Sequence, residues 1–160
     1  MSSIRKSAVD KIADNLGLIT TANGYNFDVG SERIYRQADS PELMPTPSII
    51  VMQGPETIEN EYSDLYECGL EIIVGFVDNY NGIDPEGEAN LFLADIQKAI
   101  GQQFTIAATR YGQSDVGTTT IQIKEEENAI MISNSIPGYI IGQISYEMRY
   151  RRHILDPNRC

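Results

Sequence analysis

Apolar and polar residues alternate along two long segments of the chain. In residues 140–152, one parity consists of Ile140, Gly142, Ile144, Tyr146, Met148 and Tyr150. In residues 66–77, one parity consists of Tyr66, Cys68, Leu70, Ile72, Val74 and Phe76. A period of two residues is typical of a β-strand with one buried face. Because the two segments have similar lengths, we expect them to pair as antiparallel neighbours.

Two other segments have the spacing of amphipathic helices. The first begins after Ser2 or Ser3 and ends near Gly17, and its apolar residues recur every fourth position: Ile4, Ala8, Ile12 and Leu16. The second begins at Asp84-Pro85, where aspartate suits the N-cap and proline suits the first helical position. It runs to about Gln102, with an apolar stripe of Ala89, Phe92, Ile96, Ala99 and Ile100.

The remaining segments are predicted to be short strands and connections. "YNFDVGSERIYRQ" indicates two short strands broken at Gly30-Ser31, or one irregular hairpin. "SIIVMQG" is typical of a short buried strand, followed by the polar connection "PETIENEYSD". "TTTIQIK" and "NAIMIS" predict two short strands joined at "EEEN". The order of helix, strands, helix and strands predicts one α+β domain over residues 1–160, with two helices packed on a mainly antiparallel sheet.

Composition is ordinary for a globular domain of 160 residues, with 41% hydrophobic and 22% charged residues. No apolar run is long enough to span a membrane, and the N-terminal segment lacks the apolar core of a signal peptide. We therefore expect a protein that is made and used in the cytosol, or is released only when a cell lyses, with no membrane partner. Cys68 and Cys160 are expected to be free thiols, with Cys68 serving as a small core residue.

The formal net charge of −11 bears on nucleic-acid partners. Such an acidic chain is not expected to bind phosphate backbones tightly, so we do not predict sequence-specific DNA binding. Two interpretations of the charge stay open. It serves solubility, or it forms an acidic wall past which nucleic acid slides without adhering.

The chain offers few residues for catalysis. His153 is the only histidine, which rules out a two-histidine metal site within one chain. No nucleophile-elbow or phosphate-binding glycine motif is present. "VDNYNGIDPEGE" resembles a calcium-binding loop, but Val77 occupies the first position, where a carboxylate is required. We predict no catalytic residues, cofactor or metal. A small acidic enzyme or ligand-binding module, with carboxylates in a cleft, is the alternative.

The length of the last strand predicts a subunit contact. At about 3.3 Å per residue it extends for about 40 Å, more than two short helices are expected to cover. Exposed apolar strand surface requires a partner, and tyrosine, methionine and arginine are favoured at such contacts. The predicted interface residues are Tyr146, Met148, Arg149, Tyr150, Arg151 and Arg152, meeting Glu59, Glu61 and Asp64 of an identical neighbour. The alternative is that the strand bends over its own helix.

In the order of its segments, the chain resembles the tail terminator, or tail completion, proteins of long-tailed bacteriophages. The resemblance covers nearly the whole chain. It rests on "IRKSAVDKIADNL", "MPTPSIIVMQG", "LYECGLEIIVGFVD", "GEANLFLADIQKAI" and "GQISYEMRYRRHILDP". The segments "TRYGQSDVGTTT" and "EEEN" have no counterpart in that pattern.

The resemblance implies an α+β fold and a hexameric ring in the neck region of the virion tail, assembled in the host cytoplasm. It implies that the ring caps the tail tube, ends its polymerisation and meets the head-side connector, with a central channel for DNA. A head–tail connector or head-completion protein is the related alternative.

Overall fold

The computed structural model describes residues 4–37, 43–80, 82–103, 105–106, 112–116, 119–132 and 138–154. Single helical turns occur at Thr21–Asn23 and Ser31–Arg33. The helices are α1 (Ile4–Leu16) and α2 (Pro85–Gln103). The strands are β1 (Ile34–Tyr35), β2 (Ser48–Glu61), β3 (Leu65–Asn79), β4 (Thr105–Ile106), β5 (Gly112–Val116), β6 (Thr119–Ile132) and β7 (Tyr139–His153).

Within the described residues, the strands form one seven-stranded sheet in the order β1-β2-β3-β7-β6-β5-β4. All neighbouring strands are antiparallel except β1 and β2. The predicted pairing of the two long strands is confirmed, because β3 and β7 stay in register from Leu65↔His153 to Asn79↔Tyr139. The α+β fold class is likewise confirmed.

Both helices pack on the same face of the sheet, which we call the helix-covered face. The predicted stripes of α1 and α2 are buried there against alternate residues of β3 and β7. Asp84 caps α2 as expected, since its Oδ1 accepts a hydrogen bond of 2.8 Å from the Gly87 amide. The opposite face, which we call the open face, has a smaller cluster of Met44, Ile50 and Val77.

Aromatic side chains connect the two central strands to α2. The Phe76 ring on β3 lies over Gly142 of β7, where a Cβ atom would collide with the ring. The same ring packs against Phe92 of α2 at a centroid separation of 4.7 Å. Phe92 in turn stacks on Phe27 at 4.5 Å, in the segment that follows α1. Gly142 therefore makes room for the ring that anchors α2 to the sheet.

Three predictions about the shorter segments are wrong. β2 continues for 14 residues through the segment expected to be a polar connection. β6 is also one strand of 14 residues, with a register shift between Glu125 and Glu127 where a hairpin tip was predicted. Residues 25–37 contain neither the two short strands nor the hairpin predicted around Gly30, because Gly30 (φ 68°) leads into a helical turn and the single strand β1 pairs in parallel with β2.

Other expectations concern individual residues. Cys68 is a buried free thiol, as predicted, whereas Cys160 and the capping serines Ser2 and Ser3 lie outside the described residues. Neither helix, over the part of the chain that the structure describes, combines the length and apolar character needed to cross a membrane.

Candidate functional site

The predicted interface residues converge on one end of the sheet, which we call the distal end. It comprises residues 56–67 of the β2–β3 hairpin and residues 149–153 of β7. The hairpin closes with a hydrogen bond of 2.8 Å from the Tyr62 amide to the Leu65 carbonyl. The last residues of β7 pair with the start of β3, with Arg152 opposite Tyr66. The β2–β3 hairpin and β7, which is distant in sequence, therefore bring their charged residues together.

The structure corrects the prediction for Tyr146, Met148 and Tyr150. Their exposed fractions are only 4%, 0% and 2%, because they belong to the core beneath the helices of their own chain. The expectation that they cover a neighbouring copy is therefore wrong for this fold. Burial raises the pKa of the Tyr146 hydroxyl, and this hydroxyl has no hydrogen-bond partner among the described residues.

Tyr150 and Arg152 of β7 both contact Glu56 of β2, across the intervening strand β3. The Tyr150 hydroxyl donates a hydrogen bond to Glu56 Oε2, and Arg152 Nη2 lies 3.2 Å from Glu56 Oε1. Burial raises the pKa of Tyr150, and the nearby Glu56 carboxylate raises it further. Arg152 also lies over the Tyr66 ring, 5.1 Å from its centroid. This cluster fixes the distal end of β7 to β2.

A second charged cluster lies on the open face. Arg149 Nε is 3.4 Å from Glu59, and Arg149 Nη2 is 3.0 Å from Glu147. Glu59 lies flat over Gly69, where a Cβ atom would be 2.9 Å from Glu59 Oε1. Burial raises the pKa of Glu59, and the neighbouring Glu147 raises it further. Arginines that were expected to meet carboxylates of another copy therefore meet carboxylates of their own chain.

The rest of the predicted set is exposed at the distal end. Arg151 lies over the ring of Tyr62, 5.7 Å from its centroid, and Tyr62 itself is 48% exposed. Asp64 lies 3.9 Å from His153 and its side chain is 64% exposed. Glu61 is exposed as well. These residues keep their status as predicted contacts between copies.

Sequence reasoning missed two features near this end. Ile58 is 52% exposed at a position that was assigned to a connection. On the open face, a shallow depression is lined by Glu71, Glu126, Glu127, Ser145, Tyr146 and Glu147. Both features depend on the full lengths of β2 and β6, which the polar character of these segments concealed. No group of metal-binding side chains was found within the described ranges.

The geometry defines the chain as an α+β protein whose charged sheet end is formed by β2, β3 and β7. No protein-family model matches the chain, and no curated protein sequence matches it. Among solved structures, it is similar to a chain from the virion of a native gene transfer agent particle, with a TM-score of 0.46 and 10% sequence identity. That match covers 76% of this chain and 80% of the other.

Proposed function

We propose that this protein is a structural component of a phage virion, specifically a tail terminator. In this role, copies form a ring, of six by the sequence resemblance, on the end of the tail tube. The ring stops tube polymerisation, presents a surface to the head-side connector and leaves a channel through which DNA passes. The protein acts without catalysis or cofactor.

The observation that carries this proposal is the match between segment order and folded elements. The segments that resemble tail terminators form α1, the buried start of β2, β3, α2 and β7. These elements pack around one core rather than as separate units. The resemblance therefore rests on segments that fold together around one core.

The distribution of charge supports a role in assembly. The chain is strongly acidic, with a formal net charge of −11, which suits a channel wall that must not retain phosphate backbones. The distal end combines exposed apolar and charged side chains on adjacent strands, a composition typical of the rim of a protein contact. In the proposed ring, this surface contacts a neighbouring copy.

The proposal is tested on purified tail tube protein from the same phage. Tube subunits are polymerised with and without this protein, and tube lengths are measured by electron microscopy. We expect shorter tubes with added density at one end, and a ring mass in native mass spectrometry. The matched control is Leu70→Ala, which removes buried side-chain volume and therefore lowers the amount of folded protein.

Two outcomes would contradict the proposal. If tube lengths stay unchanged and the protein binds the purified head-side connector instead, it is a head-completion protein. If it stays monomeric with tubes and connector alike, a virion role is excluded and the enzyme or ligand-binding alternative gains weight.

A further inference from the structure

We propose that the tip of the β2–β3 hairpin, residues 58–65, docks on the outer face of α1 of a neighbouring copy. This inference rests on the proposed ring and specifies the contact that builds it. The two surfaces lie in different parts of the chain. Contacts between two different surfaces are head-to-tail, and a head-to-tail contact closes into a ring when the rotation between copies permits.

The hairpin tip extends beyond the region that α1 contacts. Arg5 of α1 reaches β2 at Gln53 and Gly54, with Nε 2.8 Å from Gln53 Oε1 and Nη2 3.4 Å from the Gly54 carbonyl. From Gly54, β2 continues to Glu61. At about 3.3 Å per residue, this extension is about 20 Å long. The tip is therefore able to reach a second molecule without displacing its own helix.

The tip has apolar surface that its own chain leaves exposed. Ile58 is 52% exposed and Tyr62 is 48% exposed, on either side of the last residues of β2. Ile58 pairs with Cys68 on the helix-covered side of the hairpin, whereas Tyr62 contacts Glu67 and Arg151 on the open side. Each side of the hairpin end therefore offers one exposed apolar side chain to a partner. Arg151 over the Tyr62 ring holds that ring in place for contact.

The charge of the tip indicates its partner. Residues 56–67 contain five acidic residues and no lysine or arginine. Arg152 and Arg149 pair with Glu56 and Glu59 at the base of the hairpin. Glu61 has no ion-pair partner within the described residues, and the Asp64 carboxylate lies 3.9 Å from His153 Nε2. The end of the hairpin therefore has net negative charge and fits a basic surface.

The outer face of α1 is such a surface. Lys6 has a side-chain exposure of 64%, and Arg36, which packs against the helix, has one of 39%. Both contact Asp10, at 2.5 Å each, so that two cations share one carboxylate. Lys11 and the exposed Asp14 lie in the same helix, so three cations stand against two carboxylates and the surface is weakly basic. In a chain with net charge −11, electrostatic attraction between identical copies requires that a local basic surface of one copy meets an acidic surface of the other.

The test uses complementary charge reversal. One variant carries Glu61→Lys and Asp64→Lys at the tip, and the other carries Lys6→Glu and Lys11→Glu on α1. Each alone places like charges across the proposed contact, so we expect the concentration for half-assembly to rise about tenfold or more. Mixed in equal amounts, the two variants restore both contacts by alternating around the ring, and we expect assembly to recover.

Native mass spectrometry and light scattering measure the assembly, and circular dichroism shows that each variant is folded. The control Glu86→Lys with Glu127→Lys makes the same net charge change as the tip variant at exposed positions away from the tip, and it should leave assembly unchanged. If both charge-reversal variants form rings as readily as the wild type does, the proposed contact is wrong and the capping role stands. If both reversals weaken assembly and mixing restores it, but tube length never changes, the contact is correct and the capping role is wrong.

Discussion

The hydroxyl of Tyr150 on β7 donates a hydrogen bond to the carboxylate of Glu56 on β2, with β3 between the two strands. Tyr150 is only 2% exposed and the Glu56 side chain 16% exposed, so this hydrogen bond to a carboxylate is partly buried. The apolar face of β7 is covered by the helices of its own chain, and this hydrogen bond ties the end of that face to β2. The strand is held against its own sheet at the end where a partner was expected.

Replacing Tyr150 with phenylalanine should lower the free energy of unfolding by about 1.5–3 kcal/mol. The change keeps the ring and removes a donor to a charged group, leaving Glu56 with Arg152 alone. Urea unfolding followed by circular dichroism measures the difference. Tyr66→Phe is the matched control on the adjacent strand, and we expect it to cost less than about 0.5 kcal/mol. Equal losses in both variants would show that the Glu56 contact contributes nothing specific.

Asp95 of α2 fixes the segment that follows α1. Its carboxylate accepts hydrogen bonds from the Asn26 amide at 2.7 Å, from the Asn26 side chain at 2.8 Å and from the Phe27 amide at 3.1 Å. Asp95→Ala should therefore cost about 2–4 kcal/mol, because it leaves two backbone donors without their acceptor. Asn26→Ala removes only the side-chain donor and should cost clearly less. Thermal unfolding of both variants tests the order, and a reversed order would contradict this assignment.

Asp78 should make the protein less stable at neutral pH. Its pKa is raised from 3.8 to about 6, mainly by burial and further by the nearby Glu88. The hydrogen bond from the Asn79 amide and the charge of Arg33 lower the pKa and offset part of this rise. The unfolded chain loses this proton near pH 4, whereas the folded chain keeps it to about pH 6. The Asp78 contribution therefore lowers stability as pH rises from about 4 to 6, by at most about 3 kcal/mol, and stays unfavourable above that range.

Asp78→Asn removes this titration and keeps an acceptor for the Asn79 amide, which donates at 2.8 Å in the native protein. We expect higher stability than wild type at pH 7 and no difference at pH 3.5. Asp10 and Asp28 have lowered pKa values and the opposite pH dependence, so the difference between variant and wild type isolates Asp78. A constant difference across this range would disprove the linkage.

Leu70 and Ile73 of β3 face opposite sides of the sheet. Leu70 is fully buried on the helix-covered face, so Leu70→Ala should cost about 2–5 kcal/mol. Ile73 is half-buried on the open face, and Ile73→Ala should cost less. Chemical denaturation compares the two. A larger loss at Ile73 would mean that the open face is covered in solution, as it would be in a stable dimer through that face.

The sequence predicts the elements whose hydrophobic pattern is regular. β3, β7 and both helices have an unbroken period, and their pairing and burial follow from it. The pattern fails in β6, because the register shift between Glu125 and Glu127 interrupts the alternation and three consecutive glutamates suggest a turn. It fails again in β2, because register shifts after Gln53 and after Ile58 interrupt the alternation. Pro55 and the acidic residues of the same segment also suggest a connection rather than a strand.

The candidate site was only partly predictable for the same reason. The arginines of β7 were identified from one strand, but their partners depend on how far β2 extends alongside β3. With β2 taken to end at Gly54, both Glu56 and Glu59 fell in a connection, and Glu59 was predicted to meet a neighbouring copy. Their actual register places them within reach of Arg152 and Arg149 of the same chain.

The Phe76 ring lies where a side chain at position 142 would otherwise be, so the two positions cannot vary independently. A sequence with alanine at position 142 requires a smaller residue at position 76, and that smaller residue would lose the ring contact with Phe92 of α2. Related sequences should therefore show paired exchange at these sites, a small residue at one whenever the other is bulky.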